Sequence, residues 1–172
     1  MIKNKVFCLL LFFSCVARAD FLASDLGLLE NAPNLESDSA DPYWDLAWHG
    51  RVASYGDPDS QFFVAKVYEQ GKLVPQDISK AIEFYKKAAG QGHLESCHRL
   101  AGLLPSESEK WYLTAAHFGD PQAQLKLSHI YRAKGDIQNA VFWMEKALHL
   151  MFPDVSDLTT VSPDLKELKS YL

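Results

Sequence analysis

The chain contains few cysteines and no surplus of positive charge. Its 172 residues include 3 Cys, and 17 Lys and Arg stand against 22 Asp and Glu, which gives a formal net charge of −5. Cys8 and Cys15 lie in the N-terminal region, so removal of that region would leave Cys97, which could form no internal disulfide. We therefore expect packing to supply the stability. Nucleic-acid-binding surfaces are normally basic, so the charge argues against a nucleic acid as a partner.

The residue patterns of common enzymes and metal centres are also missing. The sequence has no Gly-rich phosphate loop, no Ser-centred elbow and no paired carboxylate motif. His93 and Cys97 would share one helical face with His98 adjacent, but a structural zinc site needs four ligands and no second pair completes it. Cys97 could instead be a nucleophile beside either histidine. The repeat described below disfavours this role, because Cys97 occupies a position that recurs in each repeat. We expect no enzymatic activity, no metal and no cofactor.

The longest apolar run, residues 6–15, is too short to cross a bilayer, which needs about 20 residues. Two lysines precede the run and an Ala-Arg-Ala sequence ends at Ala19, a pattern typical of a signal peptide. We predict that residues 1–19 are removed. Alternatively, the Phe-Phe-Ser-Cys sequence ending at Cys15 resembles a bacterial lipobox, whose lipidated cysteine would attach the protein to a membrane. Both alternatives predict export, to the periplasm or the periplasmic face of the outer membrane.

The two flanks of the chain differ from its centre. Residues 20–42 are acidic and contain Pro33, and we predict a flexible linker, with a short helix around residues 21–29 as an option. Near the other end, Ser162 is followed by proline and aspartate, a combination that marks the start of a helix. We predict that residues 154–172 form a C-terminal capping segment with a short helix, which would cover the last apolar face.

Between the flanks, one pattern recurs at three glycines, Gly56, Gly92 and Gly119. The sequence FYKKAAGQG around the second glycine matches WYLTAAHFG around the third. Residues at fixed distances after each glycine are spaced by three and four, which places them on one helical stripe. This stripe comprises Gln61, Cys97 and Gln124, then Val64, Leu100 and Leu127, then Ala65, Ala101 and Ser128.

The stripe and its flanking alanines predict helical hairpins, because small residues opposite large ones let two antiparallel helices approach closely. A hairpin cannot bury its apolar stripe alone, but stacked neighbours can. The large residues Trp48, Trp111 and Trp143 fall at such packing positions, whereas Trp44 is less constrained.

Residues 56–92 resemble a Sel-one-like repeat, a relative of the tetratricopeptide repeat, although Leu73 stands where the family usually has a second glycine. The third repeat resembles the tetratricopeptide pattern itself, and residues 44–53 resemble the second helix of a partial leading unit. The resemblance implies an all-α protein in which residues 43–153 form an α-solenoid of antiparallel helical hairpins, coiled as a right-handed superhelix. The first repeat carries the resemblance through Gln61, Val64, Ala65, Tyr68, Gly71, Val74, Asp77, Ala81, Tyr85, Ala88, Ala89 and Gly92.

The resemblance also implies a protein-binding concave face, formed by the first helix of each hairpin. Its apolar members, Phe62 and Leu125, stand among charged residues, as in a peptide-binding groove. The predicted residues are Phe62, Lys66, Glu69, Glu95, His98, Gln122, Leu125, His129 and Arg132.

Proteins similar to this one typically mediate protein complexes. We therefore expect a non-enzymatic exported scaffold or adaptor, whose partners are subunits of a bacterial envelope assembly such as a secretion system. The alternative is a soluble periplasmic regulator or inhibitor that binds one enzyme transiently.

Overall fold

A computed structural model describes residues 42–172, with side chains from Asp45 onward. The predicted signal peptide, the lipidation site at Cys15 and the acidic linker up to residue 41 lie outside the described residues. All regular structure in this part is helical, as predicted. Between residues 42 and 172, none of the helices combines the length and apolar composition required to cross a bilayer. The α-helices are α1 (Pro42–Ser54), α2 (Pro58–Gln70), α3 (Ile78–Ala89), α4 (Leu94–Leu103), α5 (Ser108–His117), α6 (Pro121–Ala133), α7 (Ile137–Met151) and α8 (Pro163–Lys169), with short 3-10 helices at Pro105–Glu107 and Leu158–Thr160.

The chain divides into two compact units. The first ends at Ala88, and the second comprises residues 89–172. The described part of the first unit contains α1, α2 and most of α3. The second unit contains α4 to α8.

α2 and α6, the first helices of their hairpins, begin where a polar side chain precedes a proline. The Asp57 carboxylate accepts a hydrogen bond from the Ser60 backbone N–H at 2.7 Å, and Pro58 occupies the first helical position of α2. Asp120 caps α6 in the same way ahead of a proline. A proline has no N–H to leave unpaired in a first helical turn, and its fixed φ suits that position. These caps therefore set where α2 and α6 begin.

The three repeat glycines end the second helix of their hairpins in a left-handed conformation. Gly56, Gly92 and Gly119 have φ values of 98°, 90° and 85°. A side chain at such a φ is strained. At Gly92 an added Cβ would also lie 2.8 Å from the ring of Phe118, which would have to move. The recurrence of glycine in the sequence thus follows from the shape of the turn.

A glutamine joins neighbouring helices at equivalent places in the two units. Gln61 of α2 donates from its side-chain amide to the Ala53 carbonyl of α1 at 3.2 Å. In the second unit, Gln124 of α6 donates to the Ala116 carbonyl of α5 at 3.3 Å. Cys97 holds the corresponding position in the middle repeat and is fully buried. The repeat-equivalent positions identified in the sequence therefore lie in helix–helix contacts.

The C-terminal segment completes the core of the second unit. α8 begins at Pro163, where the Ser162 hydroxyl accepts the Leu165 N–H, and it presents Leu165 and Leu168 to α7. Both leucines are fully buried. They join a cluster with Ala140, Val141, Met144, Leu148 and Leu158.

The prediction that Trp48 is a packing residue is wrong, since its side chain is 50% exposed. α1 instead buries Leu46, Gly50 and Ala53, which lie four and three residues apart on one face. Trp48 is two residues from both Leu46 and Gly50, which turns it about 200° from that face at 3.6 residues per turn. Trp111 and Trp143, by contrast, are both buried.

Candidate protein-binding surface

In the first unit, the predicted residues Phe62, Lys66 and Glu69 lie together on α2, and Phe62 and Glu69 contact Tyr85 of α3. The ring centroids of Phe62 and Tyr85 are 5.6 Å apart, and the Lys66 ammonium lies 5.5 Å from the centroid of the Phe62 ring. The buried Tyr85 hydroxyl donates to a Glu69 carboxylate oxygen at 2.5 Å. α2 therefore carries a half-buried strip of one aromatic and two oppositely charged side chains, which we call the α2 strip.

A groove lies beside the α2 strip and shares Lys66 with it. Phe63, Val67 and Leu73 supply its apolar part, and its volume is about 360 Å³. Phe63 is fixed there because its ring stacks on His49 of α1, with centroids 4.2 Å apart. We call this the α1–α2 groove, and its full lining is Asp45, Phe63, Lys66, Val67, Gln70, Lys72 and Leu73.

On α4, the structure places Glu95 in solvent and gives His98 a partner inside the second unit. The His98 ring nitrogen Nε2 lies 2.6 Å from Oδ2 of Asp120, the cap of α6. The same carboxylate also accepts the backbone N–H groups of Gln122 and Ala123, each at 3.1 Å. His98 is thus held by the start of the next repeat. The Asp-Pro sequence at residues 120–121 marks the cap in the sequence, but nothing in the sequence pairs it with a histidine 22 residues earlier.

On α6, two of the four predicted residues are exposed and two contact the C-terminal segment. Gln122 and His129 are exposed. Leu125 is half-buried and packs against the cluster formed by α7 and α8. The Arg132 guanidinium donates to a Glu167 carboxylate oxygen of α8 at 2.8 Å. The C-terminal segment therefore occupies part of the face that the repeat pattern assigns to binding.

Cys97 is a protonated thiol in the interior of the second unit. Burial first, and the nearby Asp120 carboxylate second, raise the pKa of the Cys97 thiol to about 11. A nucleophilic cysteine needs a lowered pKa and partial exposure, so this site has the opposite properties. The neighbouring His93 uses its Nδ1 atom to accept the Ser96 N–H and so caps α4. Among residues 42–172, no three His, Cys, Asp or Glu side chains are grouped so that they could hold a metal ion.

The chain matches models of two repeat families, the Sel1 repeat over residues 58–93 and the tetratricopeptide repeat over residues 121–150. A similar solved structure is a Sel1 repeat protein from Oxalobacter formigenes, with 23% identity and a TM-score of 0.54, covering 61% of this chain and 49% of that one. Another is a protective antigen present in uropathogenic Escherichia coli strains that displays an SLR (Sel1-like repeat) fold. It is 26% identical with a TM-score of 0.51, covering 75% of this chain and 28% of that one.

A curated relative, an uncharacterised protein of Neisseria meningitidis serogroup B, is 29% identical over 85 residues. The match covers 47% of this chain and 18% of that protein, so the chain spans under a fifth of this relative's length. The repeat matches and the stacked helical hairpins together show that the chain is a Sel1-like, tetratricopeptide-like repeat protein.

Proposed function

We propose that this protein is a non-enzymatic exported scaffold or adaptor that binds other proteins through the first helices of its hairpins. Repeat families of this kind generally serve protein–protein interaction. The observation that carries the proposal is the α2 strip, where Phe62 lies between Lys66 and the Tyr85–Glu69 pair on a helix held on both flanks. A rigid helix face that mixes apolar and charged groups suits recognition of a peptide or of another helix.

The accessible members of the predicted face define the part that would contact a partner. Glu95, Gln122 and His129 are exposed, and Lys66 is half-exposed. Glu95, Gln122 and His129 can reach a ligand without breaking an internal contact described above, whereas Lys66 would have to leave the face of the Phe62 ring. Partner binding should therefore depend more on them than on His98, Leu125 or Arg132.

We further propose that the protein acts in the bacterial envelope, in the periplasm or at the periplasmic face of the outer membrane, as part of an assembly such as a secretion system. The signal-peptide pattern at residues 1–19 supports export, and the lipobox-like sequence at Cys15 would add a lipid anchor. The similar proteins named above come from bacteria.

The test is the native size of the protein after gentle detergent extraction of membranes from cells that make it, followed by mass spectrometry. Recovery in a large particle with envelope proteins is the expected result. A free monomer in the soluble periplasmic fraction would instead favour the transient regulator. Retention in the cytoplasm with residues 1–19 intact would refute export.

Variants locate the binding face in the same experiment. Lys66→Glu combined with His129→Glu should release the co-purifying proteins, because both reversals lie on the proposed face. Lys86→Glu, an exposed charge reversal on α3, the second helix of its hairpin, is the matched control. Equal recovery of partners with both variants would contradict this choice of face.

A further inference from the structure

We propose that residues 21–29 of this same chain dock into the α1–α2 groove. This inference concerns contacts within one molecule and is tested without a partner, although the groove shares Lys66 with the proposed binding face. The argument uses the composition of the groove, the composition of residues 20–41 and the distance between them along the chain.

The groove combines an apolar floor with a positively charged rim. Phe63, the buried Val67 and Leu73 form the floor. Lys66 and Lys72 contribute two ammonium groups to the lining, against the one carboxylate of Asp45. At about 360 Å³ it lies within the range of ligand pockets, ~300–1,000 Å³. Such a site favours a segment that is both apolar and acidic.

Residues 20–41 have that composition. They contain six acidic residues and no lysine, arginine or histidine. Leu22, Leu26 and Leu29 are spaced by four and three, so a helix over residues 21–29 would present them on one stripe. Asp25 and Glu30 flank this stripe and would lie near a cationic rim. Apolar side chains would then contact the floor while the carboxylates approach the two lysines.

The connection between the segment and the groove is short enough to favour docking within one molecule. α1 begins at Pro42, and Asp45 in its first turn already lines the groove. The 12 residues from 30 to 41 can span up to about 40 Å when extended. A connection of this length gives an effective concentration in the millimolar range, so a weak site is enough to hold the segment.

Hydrogen–deuterium exchange on the protein purified after its natural processing tests the proposal, because residues 20–41 remain in both expected mature forms. The backbone amides of residues 21–29 should exchange about tenfold more slowly than in an unstructured peptide. This factor is the ratio of a millimolar effective concentration to a sub-millimolar dissociation constant. Combining Lys66→Glu with Lys72→Glu should remove most of this protection, since each reversal replaces an attraction by a repulsion. Both lysines lie at the surface, and Lys126→Glu is the matched control.

A second variant guards against a local effect of the groove substitutions on folding. Leu26→Asp changes only the docking segment and should remove the same protection while leaving the melting temperature within a degree or two. Unprotected amides 21–29 in the unmutated protein would overturn the proposal, as would protection that survives both variants. Protection that disappears on dilution would assign the groove to the segment of a second copy and would also overturn docking within one molecule.

Discussion

Gln124 offers a direct test of what the repeated glutamine contributes. Its side chain is fully buried, and its amide donates to the Ala116 carbonyl, but its oxygen Oε1 has no hydrogen-bond partner among the described residues. Replacing Gln124 with leucine removes that unpaired oxygen, whose desolvation costs about 1–3 kcal/mol. It also loses one hydrogen bond worth about 0.5–1.5 kcal/mol. The Ala116 carbonyl keeps a second donor, the Gly119 N–H at 3.1 Å.

The midpoints of these ranges differ by about 1 kcal/mol in favour of leucine, so Gln124→Leu should leave the free energy of unfolding unchanged or raise it by about 1 kcal/mol. Gln124→Ala should be clearly destabilising, by about 2–4 kcal/mol, because it leaves a cavity in place of the side chain. The middle repeat already carries Cys97 without an amide at this position, which is consistent with a dispensable hydrogen bond.

Urea unfolding followed by far-ultraviolet circular dichroism measures both variants, provided that the slope of free energy against urea is unchanged. The expected order of stability places Gln124→Leu beside the unmutated protein and well above Gln124→Ala. If the leucine variant lost more than about 2 kcal/mol, Oε1 would have to be paired in solution, and the amide would be essential to the helix contact.

Three further predictions concern packing and pH. Ala115→Leu adds bulk at a fully buried position of α5 and should cost about 1–3 kcal/mol, so a melting temperature equal to that of the unmutated protein would show that the helix phase is wrong. Leu168→Ala should cost about 2–5 kcal/mol, whereas the exposed Tyr171→Ala should have little effect in the same thermal melt. Asp57, Asp136 and Asp157 each accept hydrogen bonds from the residue that they cap. The bond from that residue's side chain, and then the bond from its backbone N–H, lower the pKa of the three carboxyl groups. Their stabilisation is therefore present above the unfolded pKa, near 4, and is lost as the pH falls through the lower folded pKa. The melting temperature should accordingly drop below about pH 4, and less steeply in a variant with all three replaced by asparagine.

The sequence predicted the helical stripes because they depend on local geometry. Val64, Leu100 and Leu127 stand at the same distance after their glycines, and each is fully buried. A period of 3.6 residues determines which side chains share a face, and turns with a positive φ require glycine. Both constraints act within a few residues, so one sequence with two or three repeats is enough to reveal them.

Contacts between residues far apart in the sequence could not be predicted from these local constraints. The exposure of Trp48 depends on which face of α1 meets α2, and the repeat alignment gave it the wrong face. The pairing of Arg132 with Glu167 joins residues 35 positions apart, and that of His98 with Asp120 joins residues 22 apart. Opposite charges are common on any surface, so their presence in a sequence does not identify which two will meet.

The position six residues after each repeat glycine forms contacts of this kind, which changes the prediction of which residues bind a partner. Phe62, His98 and Leu125 each stand six residues after a repeat glycine, and the repeat pattern assigned all three to an open concave face. In the structure, Phe62 contacts Tyr85, His98 contacts Asp120, and Leu125 packs against the C-terminal cluster.

This position therefore serves contacts within each unit, whatever residue occupies it. The position four residues further on, held by Lys66 and His129, lies one helical turn away on the same face. Its side chains are half-exposed and exposed, respectively, and neither belongs to the contacts just described. Substitutions at Lys66 and His129 should therefore affect partner binding differently from substitutions at Phe62 and Leu125. The first pair should change affinity at constant stability, whereas the second should change stability first.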